Sequence, residues 1–150
     1  MGHTYTNLLT HLIFSTKNRL PYLQAERRDD VFAYLGGIVR ELKGTAVNVN
    51  GVSDHVHALI RLPAAVAVAK AVEIMKANSS RWIHEHRVLH RSFSWQSGYA
   101  AFSVSESVAD GVSRYISTQQ EHHRRVTFQE ELIAFFKKSG IEYDERYLWK

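Results

Sequence analysis

Asp54-His55-Val56-His57-Ala58-Leu59-Ile60-Arg61-Leu62, closed by Pro63, is the stretch around which the chain is organised. Apolar and β-branched residues dominate it and a proline ends it, the pattern of a β-strand. Side chains alternate across a strand. His55, His57, Leu59 and Arg61 therefore point one way. Val56, Ala58, Ile60 and Leu62 point the other way and form a continuous apolar face. Two adjacent imidazoles anchored by a greasy reverse face suit a metal ion. Nine histidines in the chain make chance pairs common, so two surface histidines on a half-exposed strand are the alternative.

A second segment favours chemistry. Arg114-Tyr115-Ile116-Ser117-Thr118-Gln119-Gln120-Glu121-His122-His123 reads as helix. Tyr115 and Gln119 are four apart and share a face. A phenol able to attack phosphorus and an amide able to join two histidines on a metal would move as one unit.

Bulk properties set limits. The 150 residues suffice for one domain with a real core. Its expected parts are a core over about 4–104, a tyrosine helix over about 107–125, and a C-terminal helix and tail over about 128–150. Apolar content of 45% and charged content of 23% are ordinary for a soluble globular protein. No apolar run is long enough to span a bilayer and Met1-Gly2-His3 opens no signal peptide, which predicts a cytoplasmic protein without a membrane partner. The absence of cysteine excludes disulfides, thiolate chemistry and cysteine-based zinc sites. A net charge of +4 and a pI near 9.4 favour an anionic partner, nucleic acid foremost, although a mildly basic enzyme has the same balance.

In chain order, 4–16 alternates and is predicted to be a long central strand, with Leu8, Leu12 and Phe14 on one face and Leu9 and Ile13 on the other. The spacing of Val31, Leu35, Ile38, Val39 and Leu42 predicts an amphipathic helix over 26–43, capped by Gly44. Gly36-Gly37 within it implies close packing on a strand. Residues 45–52 form a second strand that pairs with the histidine strand as a hairpin through Ser53-Asp54. Residues 67–86 form a second amphipathic helix, with Val68, Val72, Met75, Trp82 and Ile83 as its buried stripe. Residues 93–104 read as strand with a turn near Ser97-Gly98. Ser107 with Asp110, and Thr127 with Glu130, resemble capping boxes that open two further helices. Gly140 ends the last one. The tail carries Tyr143, Tyr147, Leu148 and Trp149, too aromatic for disorder, and is expected to dock. The order β-α-β-β-α-β followed by helices predicts an α+β, ferredoxin-like (RRM-like) antiparallel sheet, with His55 and His57 on the face its two packing helices leave free.

A divalent cation on His55, His57 and Gln119 would keep open positions and act as a Lewis acid on a phosphodiester. Tyr115 would be the nucleophile. A phosphotyrosine keeps the energy of the broken bond, so strand transfer without ATP is favoured over hydrolysis. Imidazoles favour Mn2+ over Mg2+ by affinity, whereas cellular abundance favours Mg2+.

Asp54-His55-Val56-His57, Trp95-Gln96-Ser97-Gly98-Tyr99-Ala100-Ala101-Phe102-Ser103 and Tyr115-Ile116-Ser117-Thr118-Gln119, in that order, closely resemble the single-tyrosine HUH transposases of the insertion sequence 200/605 family. The likeness runs from Tyr5-Thr6-Asn7-Leu8-Leu9 to Glu142-Tyr143-Asp144-Glu145-Arg146-Tyr147. It implies His55, His57 and Gln119 as metal ligands for Mg2+ or Mn2+ and Tyr115 as nucleophile. It also implies a homodimer with composite sites, acting in a bacterial or archaeal cell on single-stranded DNA ends with subterminal hairpins. Cleavage would leave a 5′-phosphotyrosine and a free 3′-hydroxyl. Candidate DNA contacts are Lys76, Arg81, Arg87, Arg91, Arg114, Arg124 and Arg125, with Trp95 or Tyr99 stacking on bases. His84, His86, His90, His122 and His123 are expected to belong to a wet, basic helix surface, and Asp54 to a turn. The rival readings are a non-catalytic RRM-like nucleic-acid binder, which would carry aromatics at the centre of the open face, and a histidine-triad phosphohydrolase, against which Leu59 counts.

Overall fold

The computed structural model describes residues 2–148; Trp149, part of the expected docking tail, lies outside them. Four antiparallel strands form one sheet in the order β2-β3-β1-β4. They are β1 (Leu8–Ser15), β2 (Thr45–Gly51), β3 (His55–Leu62) and β4 (Ala100–Ser103). Between them run α1 (Arg28–Glu41) and α2 (Val68–Glu85), and after them come α3 (Ala109–Ser117), α4 (Gln119–His122), α5 (Phe128–Lys138) and α6 (Glu145–Leu148). This is the expected α+β, ferredoxin-like arrangement. Among the described residues, no helix is long and apolar enough to cross a membrane.

The alternation in β3 divides the molecule as the sequence implies. Val56, Ala58, Ile60 and Leu62 join Leu12 and Phe14 of β1 in the main core, against Val31, Leu35, Ile38 and Val39 of α1 and Val72, Met75 and Ile83 of α2. The opposite face is not open. Leu9 and Leu59 pack on Ile116 of α3, and Ile13 packs on Phe128, Leu132 and Phe136 of α5. The C-terminal helices therefore roof the sheet face that carries the histidines. Tyr143 and Leu148 of the tail dock on the α5 cluster.

Several local expectations change. β1 begins only at Leu8, and Thr16 makes an isolated bridge to Trp95. β4 is confined to Ala100–Ser103. Ahead of it the Ser94 carbonyl still accepts from the Lys17 amide and the Gln96 amide still donates to the Ser15 carbonyl, each at 2.9 Å. The chain then turns at Ser97-Gly98 as expected, where Gly98 is left-handed (φ 83°) and the carbonyls of Gln96 and Gly98 accept the Lys76 ammonium. α1 stops in a Schellman turn in which Lys43, not Gly44, is left-handed (φ 70°). Its amide reaches the Arg40 carbonyl at 3.0 Å, and that of Gly44 reaches Val39, also at 3.0 Å. Gly44 is needed for a different reason, since a Cβ there would lie 2.6 Å from the Arg61 carbonyl oxygen. Gly36 does lie on β2, though at an ordinary 3.5 Å from the Ala46 Cβ.

The Thr127–Glu130 capping box forms as expected. Ser107 does not cap; a 3₁₀ turn at Glu106–Val108 leads into α3, and Glu106 receives Arg61 at 2.7 Å. The tyrosine helix is also interrupted at Thr118 (φ −102°, ψ 20°). The Tyr115 carbonyl accepts instead from the Thr118 amide at 3.2 Å and from the Thr118 hydroxyl at 3.1 Å, which closes α3 one residue early.

Candidate active site

β3 presents His55 and His57 beneath the roof of α3 and α5, and both are fully buried. Their Nε2 atoms converge on one oxygen, Oε1 of Glu131, at 3.3 Å from His55 and 2.9 Å from His57. Nε2 of His123 reaches the same oxygen at 3.1 Å. The second carboxylate oxygen, Oε2, accepts the Tyr115 hydroxyl and lies 3.2 Å from His122 Nε2. Gln119 is fully buried, with its side-chain oxygen 3.4 Å from His55 Nε2. The structure thus brings together all four residues singled out in the sequence: His55, His57, Tyr115 and Gln119.

An outer layer fixes the rings. His55 Nδ1 lies 2.7 Å from Asp54 Oδ1, so Asp54 orients a ring besides making the turn. His57 Nδ1 lies 2.7 Å from His11 Nε2, and His123 Nδ1 lies 2.6 Å from the Val126 carbonyl oxygen. Two asparagines of β2 hold α3 in place. Asn48 donates to the Ser113 carbonyl and Asn50 to that of Ile116, each at 2.9 Å.

Burial and charge act in opposition here. Burial disfavours the His55 imidazolium, but hydrogen bonds to Asp54 and Glu131 outweigh it and raise its pKa. Burial prevails at His57, pulling it down to about 4, and at His11, pulling it to about 3. Burial and the Glu131 carboxylate both push the Tyr115 phenol above its ordinary value. Burial opposes the Glu131 charge, yet hydrogen bonds with His123, His55 and His57 hold that carboxyl well below the usual range. One donor atom from each of His55, His57, His123 and Glu131 lies within 4.8 Å of all the others. A buried, convergent set of imidazoles and a carboxylate has the donor chemistry a divalent cation requires.

Residues 4–119 match the family model for IS200-like transposases. The chain belongs to that family. The transposases for insertion sequence element IS200 of Salmonella typhimurium and Salmonella typhi are each 25% identical over 130 residues, covering 83% of this chain and 84% of theirs. Among solved structures, a protein of Deinococcus radiodurans assigned as a transposase superposes with TM-score 0.61 and 25% identity over 79% of this chain and 96% of its own. A REP-associated tyrosine transposase bound to a REP hairpin shares the fold, with TM-score 0.61 at 13% identity over 84% of this chain and 74% of its own.

The nominated DNA contacts of this IS200-like transposase divide. Lys76, expected among the DNA contacts, points inward to two carbonyls, and burial lowers its pKa to about 8. Arg81 reaches Asn78 at 2.7 Å along α2, and Arg124, in the turn after α4, reaches Glu121 at 3.0 Å. Arg87, Arg91, Arg114 and Arg125 are exposed, Arg87 as the left-handed residue that closes α2. Trp95 is a structural residue: its indole donates to Ser79 at 3.0 Å and its ring meets Phe14 and Phe93 edge-on. Tyr99 is exposed. His84, His86 and His90 are on the surface as expected. His123 instead turns in against His55, and His122, partly exposed, reaches Glu131 Oε2 and the Tyr115 hydroxyl.

Glu131, His11, Asn48 and Asn50 were not singled out in the sequence. Two signals bear on the site. In the sequence His123 lies four residues after Gln119 and eight after Tyr115, the spacing of one helical face. Glu131 falls at i+3 from Phe128 and i−4 from Phe135, inside the apolar stripe of α5, where a carboxylate must find partners.

Proposed function

We propose that this transposase cuts and rejoins single-stranded DNA through a 5′-phosphotyrosine on Tyr115, with a divalent cation, Mg2+ or Mn2+, held at His55, His57 and Gln119. The observation that carries this reading is the placement of the Tyr115 hydroxyl on the same carboxylate that His55 and His57 face. When bound, the ion supplies Lewis acidity to a phosphodiester. The protein does the rest. β3 fixes the imidazoles, Asp54 and His11 orient them, and α3 with Asn48 and Asn50 aims the phenol. The Tyr115 oxygen bonds to phosphorus, the bond from phosphorus to the 3′-oxygen breaks, and that oxygen leaves as a 3′-hydroxyl. Attack by another 3′-hydroxyl reverses the step and joins new ends, with no nucleotide cofactor.

The substrate in this reading is a single-stranded element end with a subterminal hairpin. Support comes from the family and from the fold neighbour whose structure holds a REP hairpin. The working form is a cytoplasmic homodimer, because two DNA ends need two nucleophiles. An RRM-like binder without catalysis is disfavoured, since buried histidines occupy the sheet centre where such a module carries exposed aromatics.

The test is incubation with single-stranded hairpin DNA and Mn2+ or Mg2+, followed by a denaturing gel. The expected product is a protein–DNA adduct that Tyr115→Phe and His57→Ala both abolish. An adduct that persists in Tyr115→Phe would end the assignment.

A further inference from the structure

We propose that the cation is held by four protein donors, Nε2 of His55, His57 and His123 and Oε1 of Glu131, the last two supplied by the segment that follows Gln119. The inference rests on the metal-dependent reading above, keeps its two histidines, puts His123 and Glu131 in place of Gln119, and so moves half of the donor set beyond the 4–119 span that matches the family model.

Geometry is the first argument. Metal–nitrogen bonds of about 2.0–2.1 Å in a tetrahedron put neighbouring donors roughly 3.4 Å apart. Glu131 Oε1 lies 3.3, 2.9 and 3.1 Å from the Nε2 atoms of His55, His57 and His123. These three edges are within about half an ångström of those of a filled site, and the remaining donor pairs lie within 4.8 Å of one another. His55, His57 and Glu131 are at most 1% exposed at their side chains and His123 is 10% exposed, so the position is dry.

Hydrogen-bond chemistry is the second. The Nδ1 of His55 faces a carboxylate and that of His123 faces a backbone carbonyl. Both partners only accept, so both Nδ1 atoms carry hydrogen. The Nε2 hydrogens that the rings share with Glu131 Oε1 are the ones a cation would displace. Ligation would then run through Nε2, and each ring keeps the outer partner that metal-bound histidines characteristically have. In the filled site the hydrogen shared by His57 Nδ1 and His11 Nε2, 2.7 Å apart, would sit on His57 Nδ1.

Two consequences follow. Three imidazoles and one carboxylate suit Mn2+ or Zn2+ far better than Mg2+, which prefers an oxygen octahedron rich in water. The ligating carboxylate also holds the Tyr115 hydroxyl through its other oxygen, which makes Glu131 the positioning residue between cation and nucleophile. Gln119, with its amide nitrogen 3.4 Å from the Tyr115 carbonyl oxygen, stands at the edge of the set.

The experiment is calorimetric titration of the purified full chain with Mn2+ and with Zn2+, comparing wild type, Glu131→Gln, His123→Ala, His57→Ala and the exposed neighbour control Glu130→Gln. Loss of either added donor is expected to weaken binding by more than about tenfold, with Glu130→Gln unchanged. X-ray absorption of the zinc-loaded wild type, which needs no variant, should count three imidazoles. Binding at wild-type strength or tighter in Glu131→Gln, with His57→Ala defective, would overturn the four-donor site and leave the two-histidine reading standing. So would two imidazoles in the absorption spectrum. A wild-type chain that binds neither ion would overturn both.

Discussion

Tyr115 donates its hydroxyl to Glu131 of the same chain across 16 residues of sequence. The Tyr115 phenol and the histidine pair therefore meet within one chain. In a homodimer of this form each centre would be self-sufficient, with no exchange of tyrosine helices. Mixing Tyr115→Phe with His57→Ala subunits should then leave cleavage at the level of either variant alone. Recovery of adduct in the mixture, read on a denaturing gel, would show that the helices swap.

Glu131 is held in place by its helix, and that helix by three side chains. Phe128, Leu132 and Phe136 are each 6–8% exposed and bury against Ile13. Leu132→Ala is expected to cost about 3 kcal/mol, the usual range for a buried leucine that leaves a partly relaxed cavity. Urea unfolding measures the loss. Because α5 roofs the site, the same variant should bind Mn2+ more weakly, and an unchanged affinity would mean that α5 does not set the ligand geometry.

Gly51 precedes the turn into the histidine strand. A Cβ there would lie 2.2 Å from the His55 carbonyl oxygen, a contact with backbone that no rotamer relieves. Gly51→Ala should destabilise the fold by about 1–3 kcal/mol. It should also shift His55, lowering metal affinity more than the stability loss alone explains. Comparing calorimetric affinity with that of Met75→Ala, a main-core variant on α2 that lowers stability without touching the site, tests the point.

The parts legible in the sequence were those whose physics is local. Alternation in 55–62 placed the imidazoles and the core face on opposite sides of β3, and its bounds agree to the residue. Helical periodicity found α1 and α2, and Thr127 with Glu130 found the start of α5. What depended on tertiary partners was harder to see. β4 is shorter than the alternation suggests because the chain leaves the sheet at the Ser97-Gly98 turn, which the Lys76 ammonium of α2 holds by the carbonyls of Gln96 and Gly98. The histidine face read as open because an amphipathic C-terminal helix does not declare which surface it covers. Glu131 passed unseen because acids in the first turn of a helix are commonplace at the positive end of the dipole. Its neighbour Glu130 fills that ordinary role.

Lys76 gives a pH signature. Its folded pKa is near 8, below the ordinary 10.5 that the unfolded chain retains. Between those values the unfolded chain binds more protons than the folded one, so stability rises with pH across that window. Below pH 8 the penalty of burying the ammonium is fully present. Urea midpoints at pH 8 and pH 10 should therefore increase in the wild type, and the increase should shrink in Lys76→Met. Equal slopes in both proteins would mean that Lys76 keeps its ordinary pKa in the fold.

The inward turn of Lys76 also sorts the cations that meet DNA. Arg114, on α3 beside Tyr115, is exposed, whereas the Lys76 ammonium is committed to two carbonyl oxygens. A cation on a phosphate releases counterions, and each such contact contributes about 0.7 to the salt slope of single-strand binding. Arg114→Ala should thus lower the slope of log affinity against log salt by about that amount while leaving the fold unaltered. Lys76→Met should leave the slope unchanged and alter the unfolding curve. Fluorescence anisotropy of a labelled single strand between low and moderate salt reads both, and a slope lost in Lys76→Met but kept in Arg114→Ala would reverse the assignment of the two side chains.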